Sequence, residues 1–167
     1  MLELKRLIAE VADFPRQGIL FRDISPLLRD HFAATIQGLD ALLTDEEWGG
    51  IDAVAGIESR GFILGAALAM RRQKGFVLVR KQGKLPPPVV DMAYALEYGT
   101  GVLEMQRGHG NLLLVDDVLA TGGTMTAAAG LCVRAGYQVL ALAALIDLGI
   151  VSQYGWRNLR LRAAITY

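Results

Sequence analysis

The sequence predicts an α/β fold in which a mostly parallel central sheet is flanked by helices on both faces. The main observation is that short apolar runs typical of buried strands alternate with amphipathic helical patterns along the chain. The chain has 167 residues, of which 53% are hydrophobic, and this is long enough for one well-buried core. No internal repeat or linker divides it, so we expect a single domain over residues 1–167.

The first half of the chain is predicted to alternate helices with one buried strand. Leu4, Leu7, Ile8 and Val11 recur at helical spacing, and the Phe-Pro pair that follows is expected to end this helix. The elements predicted here are a helix over residues 2–12, a loop over 15–26, a helix over 31–43, a strand over 51–57 and a helix over 61–73.

The second half continues the alternation, with one irregular stretch. The consecutive prolines 86–88 can neither donate to a strand ladder nor continue a helix, so a mobile loop is expected around them. The elements predicted here are a strand over residues 76–80, the loop over 81–100, a strand over 111–115, a helix over 124–135 and a strand over 138–146. Ligands of such sheets lie beyond the carboxyl ends of the strands, where residues 58–61, 80–84 and 116–124 are expected to converge.

Composition excludes several classes of partner. Seventeen basic residues balance seventeen acidic ones, so no basic surface indicates a nucleic-acid partner. The longest apolar runs, residues 62–70 and 139–146, are much shorter than the ~20 residues of a membrane helix. An acidic residue near the start argues against a signal peptide, and Cys132 has no second cysteine to pair with. We therefore expect a cytoplasmic protein with no nucleic-acid or membrane partner.

Residues 112–124 combine a buried-type strand, the acidic pair Asp116-Asp117 and a turn of small residues before a helix. Backbone N–H groups at a helix N-terminus favour a phosphate, and the turn lacks the spacing of a Walker or a dinucleotide loop. Asp116 and Asp117 would accept hydrogen bonds from ribose hydroxyls. We therefore predict a ribose 5-phosphate site, the alternative being an ordinary βα turn that caps a helix. The predicted phosphate-binding residues are Ala120, Thr121, Gly122, Gly123 and Thr124.

This combination resembles the phosphoribosyl-diphosphate (PRPP) motif of the type I phosphoribosyltransferases. Residues 14–28, 56–62, 80–86 and 94–100 also resemble segments of the adenine phosphoribosyltransferase family, in that family's order, with Phe-Arg-Asp-Ile and Leu-Glu-Tyr-Gly as the specific pieces. The resemblance implies the type I phosphoribosyltransferase fold, with a base-binding hood over about residues 14–28 and a mobile catalytic loop over about 81–100. It also implies that adenine and PRPP give AMP and diphosphate, that Mg²⁺ is required, and that the enzyme is a homodimer.

The leaving diphosphate requires cations. Arg60 offers a planar fork, and the basic residues near residue 80 add charge, across a dimer interface as the resemblance implies. The alternative for Arg60 is an ion pair with Glu58 or a surface position. The predicted diphosphate-binding residues are Ser59, Arg60, Arg80, Lys81 and Lys84.

The resemblance also assigns the purine site. Phe21 would stack on the base and the main chains of Leu20 and Arg22 would read its edge, whereas spacing alone equally favours a small core of Phe21 with Phe14 and Ile24. The catalytic residues implied are Glu97, which would exchange a proton with the purine, Tyr98, which would cover the site, and Arg60.

The sequence constrains the ligands of Mg²⁺ and the identity of the purine base less tightly than it constrains the PRPP site. Mg²⁺ is expected to be held through PRPP and water, with Asp116 as a candidate ligand, because hard cations on phosphate substrates use few protein ligands. Two alternatives stay open: a phosphoribosyltransferase for hypoxanthine or guanine, and a non-catalytic PRPP-sensing regulator. The link between residues 103 and 116 is shorter than in the family, and no functional residue is assigned after Asp147.

Overall fold

A computed structural model describes residues 4–96 and 99–167 of the chain. The described residues form ten strands: β1 (Ala9–Ala12), β2 (Leu20–Asp23), β3 (Ala53–Ile57), β4 (Gly75–Lys81), β5 (Val89–Leu96), β6 (Gly99–Gln106), β7 (Asn111–Leu119), β8 (Gln138–Asp147), β9 (Gly155–Trp156) and β10 (Leu159–Thr166). They also form a 3₁₀ turn over Leu4–Leu7 and the helices α1 (Ser25–Asp30), α2 (Phe32–Asp40), α3 (Asp45–Gly49), α4 (Arg60–Arg72) and α5 (Gly123–Arg134). None of these helices is long and apolar enough to cross a membrane.

The central sheet has the strand order β5-β6-β4-β3-β7-β8-β10-β9. Its middle is parallel, because β3 pairs in parallel with β4 and β7, and β8 with β7 and β10. Its edges are antiparallel: β6 pairs in this sense with β4 and β5, and β9 with β10. The predicted mostly parallel sheet is confirmed.

Successive side chains of the central strands enter two separate cores. Ala55 and Leu114 face a core shared with α5, whereas Val54 and Leu113 face a core shared with α2 and α4. This alternation follows from the period of two along a strand. Because both faces are apolar, each must be covered, and the predicted placement of helices on both faces is confirmed.

The predicted helix over residues 2–12 is wrong. The 3₁₀ turn at Leu4–Leu7 is followed by β1, which pairs with β2 residue by residue in a separate two-stranded sheet. Residues 1–3 lie outside the described residues. The helical spacing of the apolar residues was outweighed by the antiparallel ladder with β2, the next element along the chain, which the apolar pattern of residues 2–12 does not reveal. The strand pair of the predicted hood therefore begins at Ala9, earlier than the expected residue 14.

The predicted loop over residues 81–100 is also wrong in extent. β5 pairs with β6 along its whole length, from Val89 opposite Gln106 to Leu96 opposite Gly99. This hairpin lies on α5, where Arg134 donates to the carbonyl of Asp91 at 2.9 Å. The irregular part between β4 and β5 is residues 82–88, because the prolines interrupt the ladder only there.

The remaining predicted elements are confirmed with small shifts at their ends: α2, α4, α5 and strands β3, β4 and β8. The strand predicted over residues 111–115 is also present, but β7 continues to Leu119, so Asp116 and Asp117 lie within the strand rather than after it. The predicted loop over residues 15–26 is wrong, because it contains β2 and the start of α1. Sequence reasoning also missed α3, β6, β9 and β10. For α3 a signal existed, since Thr44 and Glu47 form a capping box in which each side chain bonds the other's backbone N–H. The shortened link before β7 is a four-residue turn whose Gly110 has φ +108°.

Candidate active site

Three segments meet at the carboxyl ends of β3, β4 and β7, as the sequence predicted. Arg60, at the start of α4 after β3, places Nε 2.7 Å from Oδ2 of Asp117 on β7. Lys81, at the end of β4, donates its backbone N–H to Oε2 of Glu58 at 3.1 Å. The end of a parallel sheet therefore brings residues that are distant in sequence into one site.

Asp116 and Asp117 are a buried acidic pair near the end of β7. Their residues are 9% and 8% exposed, and the N–H of Asp117 donates to Oδ1 of Asp116 at 2.8 Å. Burial, and then the charge of Asp117, raise the pKa of Asp116 well above its ordinary value. Oδ2 of Asp117 has the charge of Arg60 beside it but no aligned hydrogen-bond donor among the described residues. This oxygen is therefore suited to a hydroxyl donor or a cation.

The turn after β7 leads directly into α5. Gly122 has φ +83°, and a Cβ at this position would lie 2.3 Å from the Tyr154 ring, so both conformation and space require glycine. No side chain caps the N-terminus of α5, and its first turn contains no acidic residue. The alternative of a turn that serves to cap the helix is therefore not favoured, and the uncapped N–H groups suit an anion.

Arg60 lies between two parts of the site. Its guanidinium carbon is 5.4 Å from the centre of the Phe21 ring, and its Nε contacts Asp117. The alternative of an ion pair with Glu58 is wrong, because Glu58 has other cationic partners. Arg60 therefore connects the acidic pair on β7 to the two-stranded sheet.

Glu58 gathers the basic residues predicted for the diphosphate. Its carboxylate is 2.8 Å from Nζ of Lys84 and 3.2 Å from Nε of Arg80, and it accepts the Lys81 N–H. Burial by itself raises the pKa of Glu58, but these hydrogen bonds lower it to about 2. The Lys81 residue is exposed, and Ser59 precedes α4 without capping it through its side chain. Among these cations, Arg80 and Lys84 are thus held in a fixed cluster.

The residues predicted for the base lie on β2. Phe21 packs edge to face on Phe14 with ring centres 5.1 Å apart, so it belongs in part to the small aromatic cluster that spacing favoured. Leu20 is 47% exposed. The Arg22 side chain pairs with Glu10 and lies 4.0 Å over the Tyr167 ring. Among the strands of the described residues, β2 pairs with β1 alone, so one backbone edge of β2 stays available for a ligand.

Comparisons with known proteins agree with this geometry. The family model described as "Phosphoribosyl transferase domain" matches residues 29–151. The adenine phosphoribosyltransferase of Hydrogenovibrio crunogenus is 49% identical over 98% of this chain and 96% of its own, and that of Bdellovibrio bacteriovorus is 46% identical over 99% and 100%. The chain belongs to the adenine phosphoribosyltransferase family.

Solved structures place the fold in the same family. An adenine phosphoribosyltransferase of Rhodothermus marinus has a TM-score of 0.87 at 40% identity, covering 98% of this chain and 96% of its own. That of Saccharomyces cerevisiae, in complex with an imino-altritol bisphosphate and adenine, has a TM-score of 0.88 at 34% identity, covering 97% and 96%. The type I phosphoribosyltransferase fold is thereby confirmed.

Two residues at this adenine phosphoribosyltransferase site were missed by sequence reasoning. Glu104 on β6 is only 3% exposed and accepts the N–H groups of Gly83, Lys84 and Leu85 at 2.9, 2.7 and 2.6 Å. Tyr154 contacts the turn after β7. Neither residue lies in a recognisable motif. The one available signal for Glu104 was an acidic residue among the apolar residues of a predictable strand.

The catalytic assignment of Glu97 and Tyr98 falls outside the described residues. The neighbouring residues Leu96 and Gly99 are paired at the end of the β5–β6 hairpin. The roles of Glu97 and Tyr98 therefore continue to rest on the resemblance to the family.

Proposed function

We propose that this chain transfers the phosphoribosyl group of PRPP to adenine, giving AMP and diphosphate. The observation that carries the proposal is the buried pair Asp116-Asp117 immediately before an uncapped, glycine-containing helix N-terminus, in a chain of this family. The main reaction requirement is to hold both ends of PRPP while the base approaches the anomeric carbon.

The sugar phosphate of PRPP binds at the end of β7 and at the turn that follows it. The carboxylates of Asp116 and Asp117 accept hydrogen bonds from the ribose hydroxyls. The 5-phosphate binds to the backbone N–H groups and hydroxyls of the turn. The residues assigned to the phosphate are Ala120, Thr121, Gly122, Gly123 and Thr124. The absence of an acidic residue in the first turn of α5 supports a phosphate at this helix N-terminus, because no carboxylate there repels it.

The diphosphate faces the basic cluster around Glu58. Arg80, Lys81 and Lys84 stabilise the negative charge that develops as the diphosphate leaves, and Ser59 donates its hydroxyl. Arg60 also stabilises the leaving diphosphate, but only after the ribose hydroxyls have bound to Asp117, because this binding releases the Arg60 guanidinium from the Asp117 carboxylate. Binding of the sugar thus prepares the cation that stabilises the leaving group.

Adenine lies against β2. Phe21 stacks on the ring, and the main chains of Leu20 and Arg22 read its edge. Residues 14–28, together with β1, form the hood over this site. Following the family resemblance, Glu97 holds or exchanges a proton on the purine as N9 attacks, and Tyr98 excludes water from the site.

The acidic pair fits Mg²⁺. Carboxylate oxygens are its preferred protein ligands, and Oδ2 of Asp117 lacks an aligned donor. Within residues 4–96 and 99–167, no group of three or more metal-binding side chains is assembled. When bound beside Asp116, Mg²⁺ would neutralise diphosphate charge.

A homodimer is supported by an apolar surface next to the basic cluster. Ile63 and Met70 on α4 are 46% and 84% exposed, and Leu78 on β4 is 36% exposed. Arg80 lies 5.7 Å over the Phe62 ring at the border of this surface. We propose that a second copy covers it, and that the enzyme acts in the cytoplasm.

The deciding experiment mixes the purified protein with Mg²⁺, PRPP and one purine at a time, and follows nucleotide and diphosphate. We expect AMP from adenine, and product from hypoxanthine or guanine at least about 100-fold more slowly, because unpaired polar groups in a base site are costly. Faster reaction with hypoxanthine or guanine would reassign the base. PRPP binding without any product would indicate a regulator instead.

A further inference from the structure

Tyr154 connects the loop after β8 to the turn that precedes α5. Its residue is 8% exposed, and its hydroxyl lies 3.2 Å from the carbonyl oxygen of Gly122 and 2.7 Å from Oγ1 of Thr126. Its own backbone is fixed, since the Leu161 N–H on β10 donates to the Tyr154 carbonyl at 3.0 Å. A buried side chain from a distant segment therefore holds the predicted phosphate turn from below.

The direction of these hydrogen bonds follows from the donors available. A carbonyl can only accept, so the single hydroxyl proton of Tyr154 is donated to Gly122. In the contact with Thr126, the Tyr154 oxygen therefore accepts and the threonine hydroxyl donates. The Gly122 carbonyl also accepts the Thr126 N–H at 2.9 Å, which is the first helical bond of α5.

The orientation of one peptide group depends on this arrangement. The bond between Gly122 and Gly123 is trans, so its N–H points opposite to its C=O. With the Gly122 carbonyl held by Tyr154 and by the Thr126 N–H, the Gly123 N–H points away from the body of α5 and from the Tyr154 hydroxyl. A peptide between two glycines has little steric resistance to rotation, because both residues tolerate positive φ. The first helical bond of α5 and the Tyr154 hydroxyl therefore act together to fix this peptide.

We propose that Tyr154 is a positioning residue that locks the Gly122–Gly123 peptide so that the Gly123 N–H faces the 5-phosphate of the substrate. The inference rests on the proposed function, because it presupposes a phosphate at this turn. It extends the site to a residue that touches no substrate.

The test is Tyr154→Phe, which keeps the ring against Gly122 and removes the hydroxyl. Loss of this buried bond is expected to raise the Kd of ribose 5-phosphate, measured by calorimetry, and the KM for PRPP by roughly tenfold. The KM for adenine should change by less than about twofold, since β2 is not touched. A general loss of structure would instead raise both KM values together.

Two further variants make the test specific. Tyr137→Phe alters a half-buried tyrosine just before β8, at the opposite end of the sheet, and should leave the Kd of ribose 5-phosphate unchanged. Thr126→Val should weaken ribose 5-phosphate binding less than Tyr154→Phe does, and should add nothing to it in the double variant, because Thr126 acts through Tyr154.

The outcomes separate this inference from the proposed function. If the unaltered protein binds ribose 5-phosphate and Tyr154→Phe binds it equally well, the positioning role is wrong and the proposed function stands. The role is equally wrong if Thr126→Val and Tyr154→Phe have additive effects. If the unaltered protein does not bind ribose 5-phosphate, both the phosphate site and the role of Tyr154 are wrong.

Discussion

The adjacent carboxylates of Asp116 and Asp117, near the end of β7, have different surroundings. We therefore expect mutation of each to have a different effect. Asp117 contacts Arg60 and keeps an oxygen without an aligned donor, whereas Asp116 accepts the Asp117 N–H. Hydrogen bonds to a charged acceptor are stronger than those between neutral groups. We therefore expect ribose binding to depend on the charge of Asp117, and protein stability to depend on the charge of Asp116, which burial makes unfavourable.

Asp117→Asn should lower kcat with PRPP and adenine roughly 100-fold, because the charge-assisted hydrogen bonds to the ribose hydroxyls are lost. Its melting temperature should stay within a few degrees of the parent. Steady-state kinetics and calorimetry measure both effects. Asp45→Asn, at a side chain that is 90% exposed, is the control and should leave kcat unchanged. An unaltered kcat in Asp117→Asn would remove the ribose assignment.

Asp116→Asn should stabilise the protein at neutral pH while reducing activity. Because burial and then the charge of Asp117 raise the pKa of Asp116 above 3.8, the native state binds more protons than the unfolded state between these two pKa values. Stability therefore falls as pH rises through this window, and asparagine removes that fall. The melting temperature of the variant relative to the parent should increase from pH 4.5 to pH 8. A difference that does not vary with pH would contradict this assignment.

At the scale of elements, the segment between β4 and β5 is held in place by hydrogen bonds to Glu104 on β6 rather than by hydrogen bonds within the segment. Three consecutive N–H groups of the segment donate to the Glu104 carboxylate, and Lys84 within it reaches Glu58. Burial alone raises the pKa of Glu104, but these three backbone bonds lower it overall. The carboxylate thus positions a basic segment next to the proposed diphosphate site.

Glu104→Gln should loosen this segment, because one end of the amide presents N–H groups to backbone N–H groups. The amides of residues 83–85 should exchange with deuterium at least about tenfold faster, as local opening becomes easier, and the KM for PRPP should rise. Hydrogen exchange read by mass spectrometry measures the first effect. Gln106→Ala, on the same strand, loses only a 3.4 Å bond to Pro86 and should leave exchange unchanged. Equal exchange in parent and Glu104→Gln would contradict the role of Glu104.

At the scale of the whole molecule, the proposed second copy covers the surface formed by α4 and β4. Exposed apolar side chains that lie together indicate an interface more strongly than single ones do. Since Arg80 of the basic cluster lies over the ring of Phe62 on α4, the proposed interface and the proposed diphosphate site are neighbours in the fold.

Met70→Glu should convert the dimer to a monomer in sedimentation velocity, because a charge would be buried without a partner in the interface. Ile150→Glu changes an isoleucine that is 62% exposed in the loop after β8, and should sediment as the parent does. A parent protein that is already monomeric, or a Met70→Glu variant that stays dimeric, would show that this surface is not the interface.

Sequence reasoning succeeded where the signal is local. The strand, acidic pair and turn of residues 111–124 are contiguous, so both their structure and their proposed ligand could be predicted from spacing and residue type. Buried parallel strands are likewise marked by continuous apolar runs. The alternation of elements then placed the candidate site at one edge of the sheet.

Tertiary pairing decided what the local pattern left open. Residues 9–12 have helical spacing but form β1 because β2 offers a partner, and Val89–Leu96 forms a strand because β6 and α5 cover it. Other contacts join residues far apart in sequence: the pair of Arg60 with Asp117, the hydrogen bonds of Glu104 to the basic segment and the contact of Tyr154 with Gly122. The sequence by itself determined the fold class and the turn that we propose binds phosphate, because these depend on neighbouring residues. Only the tertiary structure decided which distant side chains position them, because such contacts depend on how the sheet is assembled.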